Sequence, residues 1–224
     1  MRLYVNRAET SVTVVDIYVD DLIVIRTSSD VVGRFFEDMG SLKIKDLGIV
    51  NKFLGLRVKL DDSEGYVLDQ EVTIYLLLKE RGLAIANGIR STIGDECNEN
   101  DEPGSELLMS TSKVEVASVK AFQSPVGSLL WIASCTRPDI CFAVHRATRP
   151  AHKPTTKDWK MAKRVATYLK EAKTLKLYIN STSSSTEAIK IVSWSDEDFA
   201  AVKSVRKSVS GSVLTMDGDV VSWV

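Results

Sequence analysis

The stretch SVTVVDIYVDDLIVI, residues 11–25, holds two β-rich apolar runs, Val12–Val19 and Leu22–Ile25, separated only by Asp20 and Asp21. Such a two-residue gap predicts an antiparallel hairpin with Asp20 and Asp21 in its loop. Adjacent carboxylates in a tight turn repel each other, and a divalent cation such as Mg²⁺ would relieve that repulsion. The pair alone is better interpreted as an exposed acidic turn, so its meaning depends on the surrounding sequence.

A helix pattern and then a second hairpin follow this stretch. Ser28 or Ser29 can cap a helix that Gly40 closes. The apolar positions of that helix are Val31, Val32, Phe35, Phe36 and Met39. Alternation then predicts two strands, over 54–60 and 66–68.

The next helix is predicted from Asp69, which can cap it, to about Arg81, with Gly82 closing it. An acidic loop is predicted over 94–106 because that segment contains a Pro-Gly pair and many carboxylates.

The second half of the chain begins with helix patterns and ends with strand patterns. One helical region is predicted over about 114–149 and another helix over about 157–173. Residues 180–186 form a polar linker. Three strands are predicted after it, over 189–194, 209–215 and 220–224, with a turn at Asp217-Gly218 between the last two.

Composition is typical of a globular protein, with 44% hydrophobic and 26% charged residues. No apolar stretch approaches the roughly 20 residues that a membrane-spanning helix requires, so we expect no membrane partner. The N-terminus lacks a signal-peptide pattern. Three cysteines without framework spacing predict reduced thiols. We therefore expect a cytoplasmic or nuclear protein that is not secreted.

Charge is unevenly distributed although the net charge is only −1. Residues 61–106 contain 12 acidic and 3 basic side chains, whereas residues 145–176 contain 10 basic and 2 acidic ones. Lys160, Lys163 and Arg164 lie on the polar face of the predicted helix and could bind nucleic-acid phosphates. A solvated helix face is the alternative interpretation.

Several strings, in a fixed order, resemble copia-type retrotransposon polyproteins. YVDDLIV (18–24) resembles the catalytic hairpin of reverse transcriptases. Strings that resemble later parts of the family are KDLG (45–48), KFLG (52–55), VGSLLW (126–131), TRPDI (136–140), the helix 159–170, SDEDFA (195–200) and RKSVSG (206–211). Each string alone is weak evidence. Together the strings occur in the family's order and span nearly the whole chain, so they indicate common ancestry.

The resemblance implies roles for four residues. Asp20 would be a metal ligand of the polymerase palm, with Asp21 as its less critical neighbour. Tyr18 would lie near the incoming nucleotide or the primer end. Asp196 would be the first carboxylate of a ribonuclease H, at the end of the first strand of that domain. Mg²⁺ would be the cofactor of both sites.

The resemblance also implies an α+β fold in three parts. These are a partial reverse-transcriptase palm and thumb start over 1–93, an acidic loop and helical connection over 94–179, and a truncated ribonuclease H-like domain over 187–224. The implied activities are RNA-directed DNA polymerase and ribonuclease H. The implied partners are an RNA template, a DNA primer and the rest of the polyprotein.

Both active sites are expected to be incomplete in this chain. The family's polymerase uses a further aspartate well upstream of the hairpin, and the single aspartate before Tyr18 is Asp16. Alternation places Asp16 on the face of Tyr18 and Asp20. Pro125 falls in a segment that the family keeps helical, where it would break a turn unless it lies at a helix start.

Three hypotheses remain open from the sequence. The chain is part of a working polyprotein, a non-enzymatic remnant of one, or a co-opted nucleic-acid-binding module, and the missing ligands favour the remnant. A zinc site at Cys135, Cys141 and His145 is conceivable, but it lacks a fourth ligand, so buried thiols are the preferred interpretation.

Overall fold

The computed structural model describes residues 2–8, 11–26, 29–61, 65–94, 106–109, 118–180, 188–202 and 207–224. The chain divides into two compact units, Met1–Leu54 and Gly55–Val224. Within the described residues it is a mixed α/β structure with three sheets and five α-helices. The mixed character predicted from the sequence is therefore confirmed.

The first unit is a three-stranded antiparallel sheet with a helix. Its elements are β1 (Arg2–Ala8), β2 (Ser11–Tyr18), β3 (Asp21–Arg26), α1 (Ser29–Asp38) and β4 (Lys52–Phe53). β2 pairs with β1 on one side and with β3 on the other. Thr13 and Val15 are buried on one face of β2, and the Arg26 guanidinium lies 5.3 Å from the Phe35 ring centroid of α1. Strand β1 was not predicted.

The second unit combines helices with two antiparallel sheets. Its strands are β5 (Leu56–Leu60), β6 (Tyr66–Asp69), β7 (Leu177–Ile179), β8 (Ile191–Val202), β9 (Lys207–Met216) and β10 (Asp219–Trp223). Its helices are α2 (Glu71–Glu80), α3 (Val119–Cys135), α4 (Cys141–Thr148) and α5 (Thr156–Glu171), with a 3₁₀ turn at Pro138–Ile140. No described helix is long and apolar enough to cross a bilayer.

The helices of the second unit share one hydrophobic core. Its most deeply buried members are Ile74 of α2, Leu129 and Ile132 of α3, Ile140, Val144 of α4, and Val165 and Leu169 of α5, each at most 1% exposed. Burying one such side chain contributes about 1.5–3 kcal/mol. This core therefore packs α2, which precedes the acidic segment 94–106, against α3, α4 and α5, which follow that segment.

The helical region predicted over 114–149 is interrupted, which corrects the sequence prediction. α3 ends at Cys135, and the chain leaves helical geometry at Thr136 (φ −143°) and Arg137 (φ −127°). Pro138 provides the physical reason, because a proline disfavours helical backbone in the residue before it. Residues 114–117 lie outside the described residues.

Pro125 does not break α3. It is a buried interior residue, and the helix continues for ten residues after it. The prediction that an interior proline would break a turn was therefore wrong at this position. The helix begins with Ser118, whose side chain accepts a hydrogen bond from the Ala121 N–H at 3.2 Å.

The start of α2 also differs from the prediction. Asp69 is the last residue of β6, and Gln70 occupies the N-cap position without a side-chain capping bond. Asp69 is only 1% exposed, and its carboxylate accepts from Arg57 Nε at 2.9 Å and from the Glu71 N–H at 3.1 Å, which compensates for its burial. Gly82, with φ +65°, closes the helix as predicted.

The start of β5 and the end of β8 also differ from the positions predicted from the sequence. β5 begins at Leu56 instead of residue 54 because Leu54 (φ +50°) and Gly55 (φ +82°) form a turn with left-handed backbone. β8 continues to Val202 instead of ending at 194, paired with β9. The predicted Asp217-Gly218 turn is confirmed, with positive φ at both residues.

The last sheet is anchored to α3 and to the residue that follows β7 by specific polar contacts. The Trp223 indole N–H donates to the Ala133 carbonyl of α3 at 2.8 Å. The Asn180 side-chain amide donates to the Asp219 carboxylate at 2.7 Å, and its backbone N–H donates to the same carboxylate at 2.6 Å. The sheet β8–β10 is thus part of the second unit.

Arg137 is a buried arginine that forms an ion pair with Asp139. It is 1% exposed, and its Nε and Nη2 atoms donate to the Asp139 carboxylate at 2.8 and 2.7 Å. Its Nη1 donates to the Ala172 carbonyl just after α5, at 2.8 Å, and the Tyr168 hydroxyl donates to Asp139 at 2.8 Å. We name Arg137, Asp139, Tyr168 and Ala172 the arginine lock.

Replacing Arg137 by methionine should lower the free energy of unfolding by about 2–3 kcal/mol, because Asp139 and the Ala172 carbonyl lose their buried donor. Urea unfolding measures this change. The matched control Arg149→Met replaces an exposed arginine and should change the free energy of unfolding by at most about 0.5 kcal/mol. Equal effects of the two substitutions would contradict the importance of the lock.

The arginine lock also predicts an acid-sensitive contribution to stability. Burial raises the pKa of Asp139, but the hydrogen bonds and charge of Arg137 outweigh burial and hold that pKa below its ordinary value. A depressed folded-state pKa stabilises the protein above the unfolded pKa of about 3.9, and this contribution is lost as the pH falls through the folded pKa. Urea unfolding between about pH 2 and 6 should therefore show a smaller acid-induced loss in Asp139→Asn than in the wild type, and parallel curves would refute the assignment.

Candidate functional site

The acidic hairpin has a different turn from the one that the sequence predicted. Tyr18 of β2 pairs directly with Asp21 of β3, so the two turn residues are Val19 and Asp20. The prediction of an Asp20-Asp21 loop was wrong by one residue. Asp21 lies in the strand, opposite Tyr18, and only Asp20 remains in the turn.

Val19 gives the physical reason why this turn was not recognised. Its φ is +53°, a left-handed conformation that branched residues rarely adopt and that costs about 1–2 kcal/mol. The sequence rule for two-residue turns favours glycine or asparagine at such a position. Because Val19 is 81% exposed, packing of its side chain does little to offset this strain.

The one-residue shift changes which carboxylates share a face of the sheet. Residues directly opposite each other on neighbouring strands point to the same face, so Asp21 shares the face of Tyr18 and Asp16. Asp16 pairs with Ile23, which makes Asp16 and Asp21 diagonal neighbours at about 7–8 Å. The predicted face of Asp16, Tyr18 and Asp20 is therefore corrected to Asp16, Tyr18 and Asp21.

Asp16 has an unusual environment for a carboxylate. It lies on the central strand, half-buried, and its Oδ1 atom is buried without a hydrogen-bond partner. The neighbouring residues on its face are apolar, including Leu3 of β1 and Val14 of β2. The apolar side chains of Leu3 and Val14 cannot donate a hydrogen bond to the carboxylate of Asp16.

The described residues do not fit a complete magnesium site. They contain no group of three or more His, Cys, Asp or Glu side chains that could hold a metal ion. Asp20 and Asp21, both exposed, supply two carboxylates on consecutive residues, but one of them lies in the turn and the other in the strand. Within the described residues, this hairpin therefore does not complete a ligand set for Mg²⁺.

Asp196 occupies the middle of β8, where it pairs with Gly211 of β9 and is exposed. The expected position at a strand end is therefore wrong, because β8 extends six residues beyond it. Asp198 lies on the same face two residues later. Asp20 and Asp21 belong to the first unit, whereas Asp196 belongs to the second.

The predicted basic residues lie on the outward side of α5. Lys160 and Lys163 are exposed and Arg164 is half-buried. The opposite side of this helix is buried in the core and consists of Met161, Ala162, Val165, Ala166 and Leu169. The Lys163 ammonium lies 5.3 Å from the centroid of the Trp159 ring, which is a cation–π contact.

The thiols and the histidine considered for zinc have environments that suit a structural role. Cys135 and Cys141 are half-buried, and burial raises the pKa of both thiols, which keeps them protonated at neutral pH. Burial, together with the charge of Arg149, lowers the pKa of His145. His145 is therefore mainly neutral near pH 7 and adds little to the positive charge of this region.

Sequence reasoning missed two buried polar contacts that position the helices. The Thr136 hydroxyl donates to the Gln70 side-chain carbonyl at 2.8 Å across 66 residues, and both side chains are buried. The arginine lock was missed as well, although it lies in the TRPDI string (136–140) that resembles the family. An arginine two residues from an aspartate beside a proline is the local signal that could have indicated it.

Several known proteins have sequences similar to this chain. An uncharacterised mitochondrial protein of Arabidopsis thaliana is 29% identical over 209 residues, covering 92% of this chain and 80% of that protein. A transposon Ty5-1 protein of Saccharomyces cerevisiae is 28% identical over 222 residues, covering 99% of this chain and 68% of that protein. The retrovirus-related Pol polyprotein from transposon TNT 1-94 of Nicotiana tabacum is 25% identical over 218 residues, covering 96% of this chain but only 16% of the polyprotein.

No family model matches the chain, and no solved structure matches it. The similarity to the transposon proteins nevertheless extends over nearly the whole chain. These similarities support a fragment of a copia-type retrotransposon Pol polyprotein. The resemblance stated from the sequence is thereby confirmed.

Replacing Val19 by glycine should raise the free energy of unfolding of the hairpin by about 0.5–1 kcal/mol, because relief of the left-handed strain exceeds the entropic cost of glycine. Hydrogen exchange of the β2 and β3 amides in the full chain measures this local stability. The control, Val12→Gly within β2, should reduce it, because glycine weakens a strand interior. A loss of protection in Val19→Gly would show that the turn is not strained as described.

Proposed function

We propose that this chain corresponds to the rear of the reverse transcriptase and the opening of the ribonuclease H of a copia-type Pol polyprotein. The observation that carries the proposal is the β2–β3 hairpin, in which Tyr18 closes a two-residue turn beside Asp20 and Asp21. The full-length similarity to transposon polyproteins supports it.

The second unit offers further support for the ribonuclease H assignment. β8, β9 and β10 form an antiparallel meander in sequence order, and Asp196 lies on the first of these strands. The domain assignments over 1–93, 94–179 and 187–224 remain proposals, as do the RNA template and DNA primer as partners. The Mg²⁺ cofactor and the roles of Tyr18, Asp20, Asp21 and Asp196 are likewise proposals.

We propose further that the chain alone does not synthesise DNA. Nucleotidyl transfer by paired metal ions requires several oxygen ligands that converge on both ions. Asp20 lies in the turn, whereas Asp21 lies in β3. Asp16 is on the same face of the sheet as Asp21. The described carboxylates thus resemble those of a polymerase hairpin without forming its complete ligand set.

Primer extension on an RNA template with Mg²⁺ and deoxynucleoside triphosphates tests this proposal. We expect no template-dependent product from the wild-type chain, and the same result from Asp20→Asn and from the matched surface variant Asp38→Asn. An active reverse transcriptase on the same template provides the positive control. Synthesis that Asp20→Asn abolishes and Asp38→Asn preserves would refute the proposed inactivity and establish the hairpin as catalytic.

A further inference from the structure

The three-stranded sheet of the first unit has one covered face and one open face. Thr13 and Val15 are buried on the covered face, and Arg26, on the same face, lies over the Phe35 ring of α1. Successive residues of a strand point to opposite faces, so the residues between these belong to the other side of the sheet. We name that side the open face, and its central residues are Leu3, Val5, Val14, Asp16, Ile23 and Ile25.

The open face exposes apolar side chains from two of its three strands. Leu3 is 62% exposed, Val5 53% and Ile25 61%. Val5 lies opposite Val14, which in turn lies opposite Ile25, so these three residues form one row across the sheet. We name them the central row. Contiguous apolar patches on a protein surface mark interaction sites, so the charges beside this row determine which partner it accepts.

One cation and one anion lie on opposite sides of the central row. Arg7 of β1 is exposed and pairs with Val12, whereas Asp16 of β2 pairs with Leu3. The two charged residues are therefore four residue steps apart along the strands, or about 13 Å. This distance separates Arg7 from Asp16 of the same chain, and the Asp16 Oδ1 atom is buried without a hydrogen-bond partner.

We propose that the open face binds the open face of a second copy of this chain, with Arg7 of each copy paired to Asp16 of the other. A two-fold axis that crosses the central row between the two sheets reverses the strand direction of the second copy. The Arg7 side of one copy then lies over the Asp16 side of the other. Packed sheets are about 10 Å apart, and the long side chain of an arginine extends into that gap.

The charge pattern favours a second copy over other partners. In a two-fold interface the same patch is used on both sides, so it must be complementary to itself. The open face meets this requirement, because its cation and its anion lie at equal steps from the central row. A lipid surface lacks this complementarity, and it would leave the Asp16 carboxylate unpaired in an apolar medium.

The size of the open face indicates a weak dimer. Three strands about 4.8 Å apart and seven residues long cover roughly 300 Å². A standard protein–protein interface buries about 800 Å² per partner. We therefore expect a dissociation constant in the micromolar range, at which the two ionic contacts decide whether the copies associate.

Sedimentation velocity of the full chain, from about 1 to 200 µM, tests the inference. We expect the wild type to change from monomer to dimer over this range. Arg7→Glu should weaken the association at least about tenfold, because it places a carboxylate beside Asp16 of the other copy. The matched control Arg2→Glu makes the same change on the same strand, but on the covered side of the sheet, and should associate like the wild type.

A mixture of two variants provides the sharper test. Arg7→Glu alone opposes two pairs of carboxylates in its dimer, and Asp16→Lys alone opposes two pairs of cations. In a mixed dimer, Glu at position 7 of one copy meets Lys at position 16 of the other, and the native Arg7–Asp16 pair forms at the second contact. We therefore expect each variant alone to remain monomeric at concentrations where the equimolar mixture forms a dimer.

Three outcomes would overturn the inference. The first is a wild-type chain that stays monomeric throughout, whether or not it floats with phosphatidylcholine vesicles. The second is an equal loss of association in Arg7→Glu and Arg2→Glu, and the third is a mixture that stays monomeric although circular dichroism shows both variants folded. If Asp16→Lys does not fold, the comparison of Arg7→Glu with Arg2→Glu decides. These readouts involve neither nucleic acid nor Mg²⁺, so the inference stands or falls independently of the proposed function.

Discussion

Burial of the Arg137 guanidinium is the constraint on which the arrangement of the second unit depends. An arginine excluded from water must have its donors satisfied, and Asp139 and the Ala172 carbonyl satisfy them at 2.7–2.8 Å. These acceptors can meet Arg137 only if the end of α5 lies beside the 3₁₀ turn after α3. The contact therefore fixes α5, and with it the position of the strand β7 that follows.

The same logic connects α2 to the end of α3. Gln70 and Thr136 are buried at the two helix ends where the chain changes direction, and their hydrogen bond satisfies the Thr136 hydroxyl and the side-chain carbonyl of Gln70. Apolar burial supplies most of the stabilisation of this unit, but it is tolerant of small rotations and shifts. The two polar contacts are directional, so they determine which of several closely packed arrangements the helices adopt.

Sequence patterns predicted most elements but not the features that need tertiary information. The stripe of Ala162, Val165 and Leu169 predicted α5 within two residues, because helical periodicity depends only on local spacing. Strand β1 was missed since its pairing with β2 is not encoded in a local turn signal. The turn at Val19 violates the residue preference of two-residue turns, so the carboxylate positions at the candidate site were displaced by one residue.

The candidate sites differ in how much structural precision they require. A metal centre for phosphoryl chemistry needs several carboxylates within a few ångströms of one point, so a one-residue shift in register changes the ligand set. Phosphate binding by a helix face needs only cations at suitable spacing, and long lysine side chains adapt to small displacements. Sequence resemblance around Asp20 and Asp21 can therefore outlast the geometry of catalysis, whereas the charge of a helix face such as that of α5 depends only on the residues that it carries.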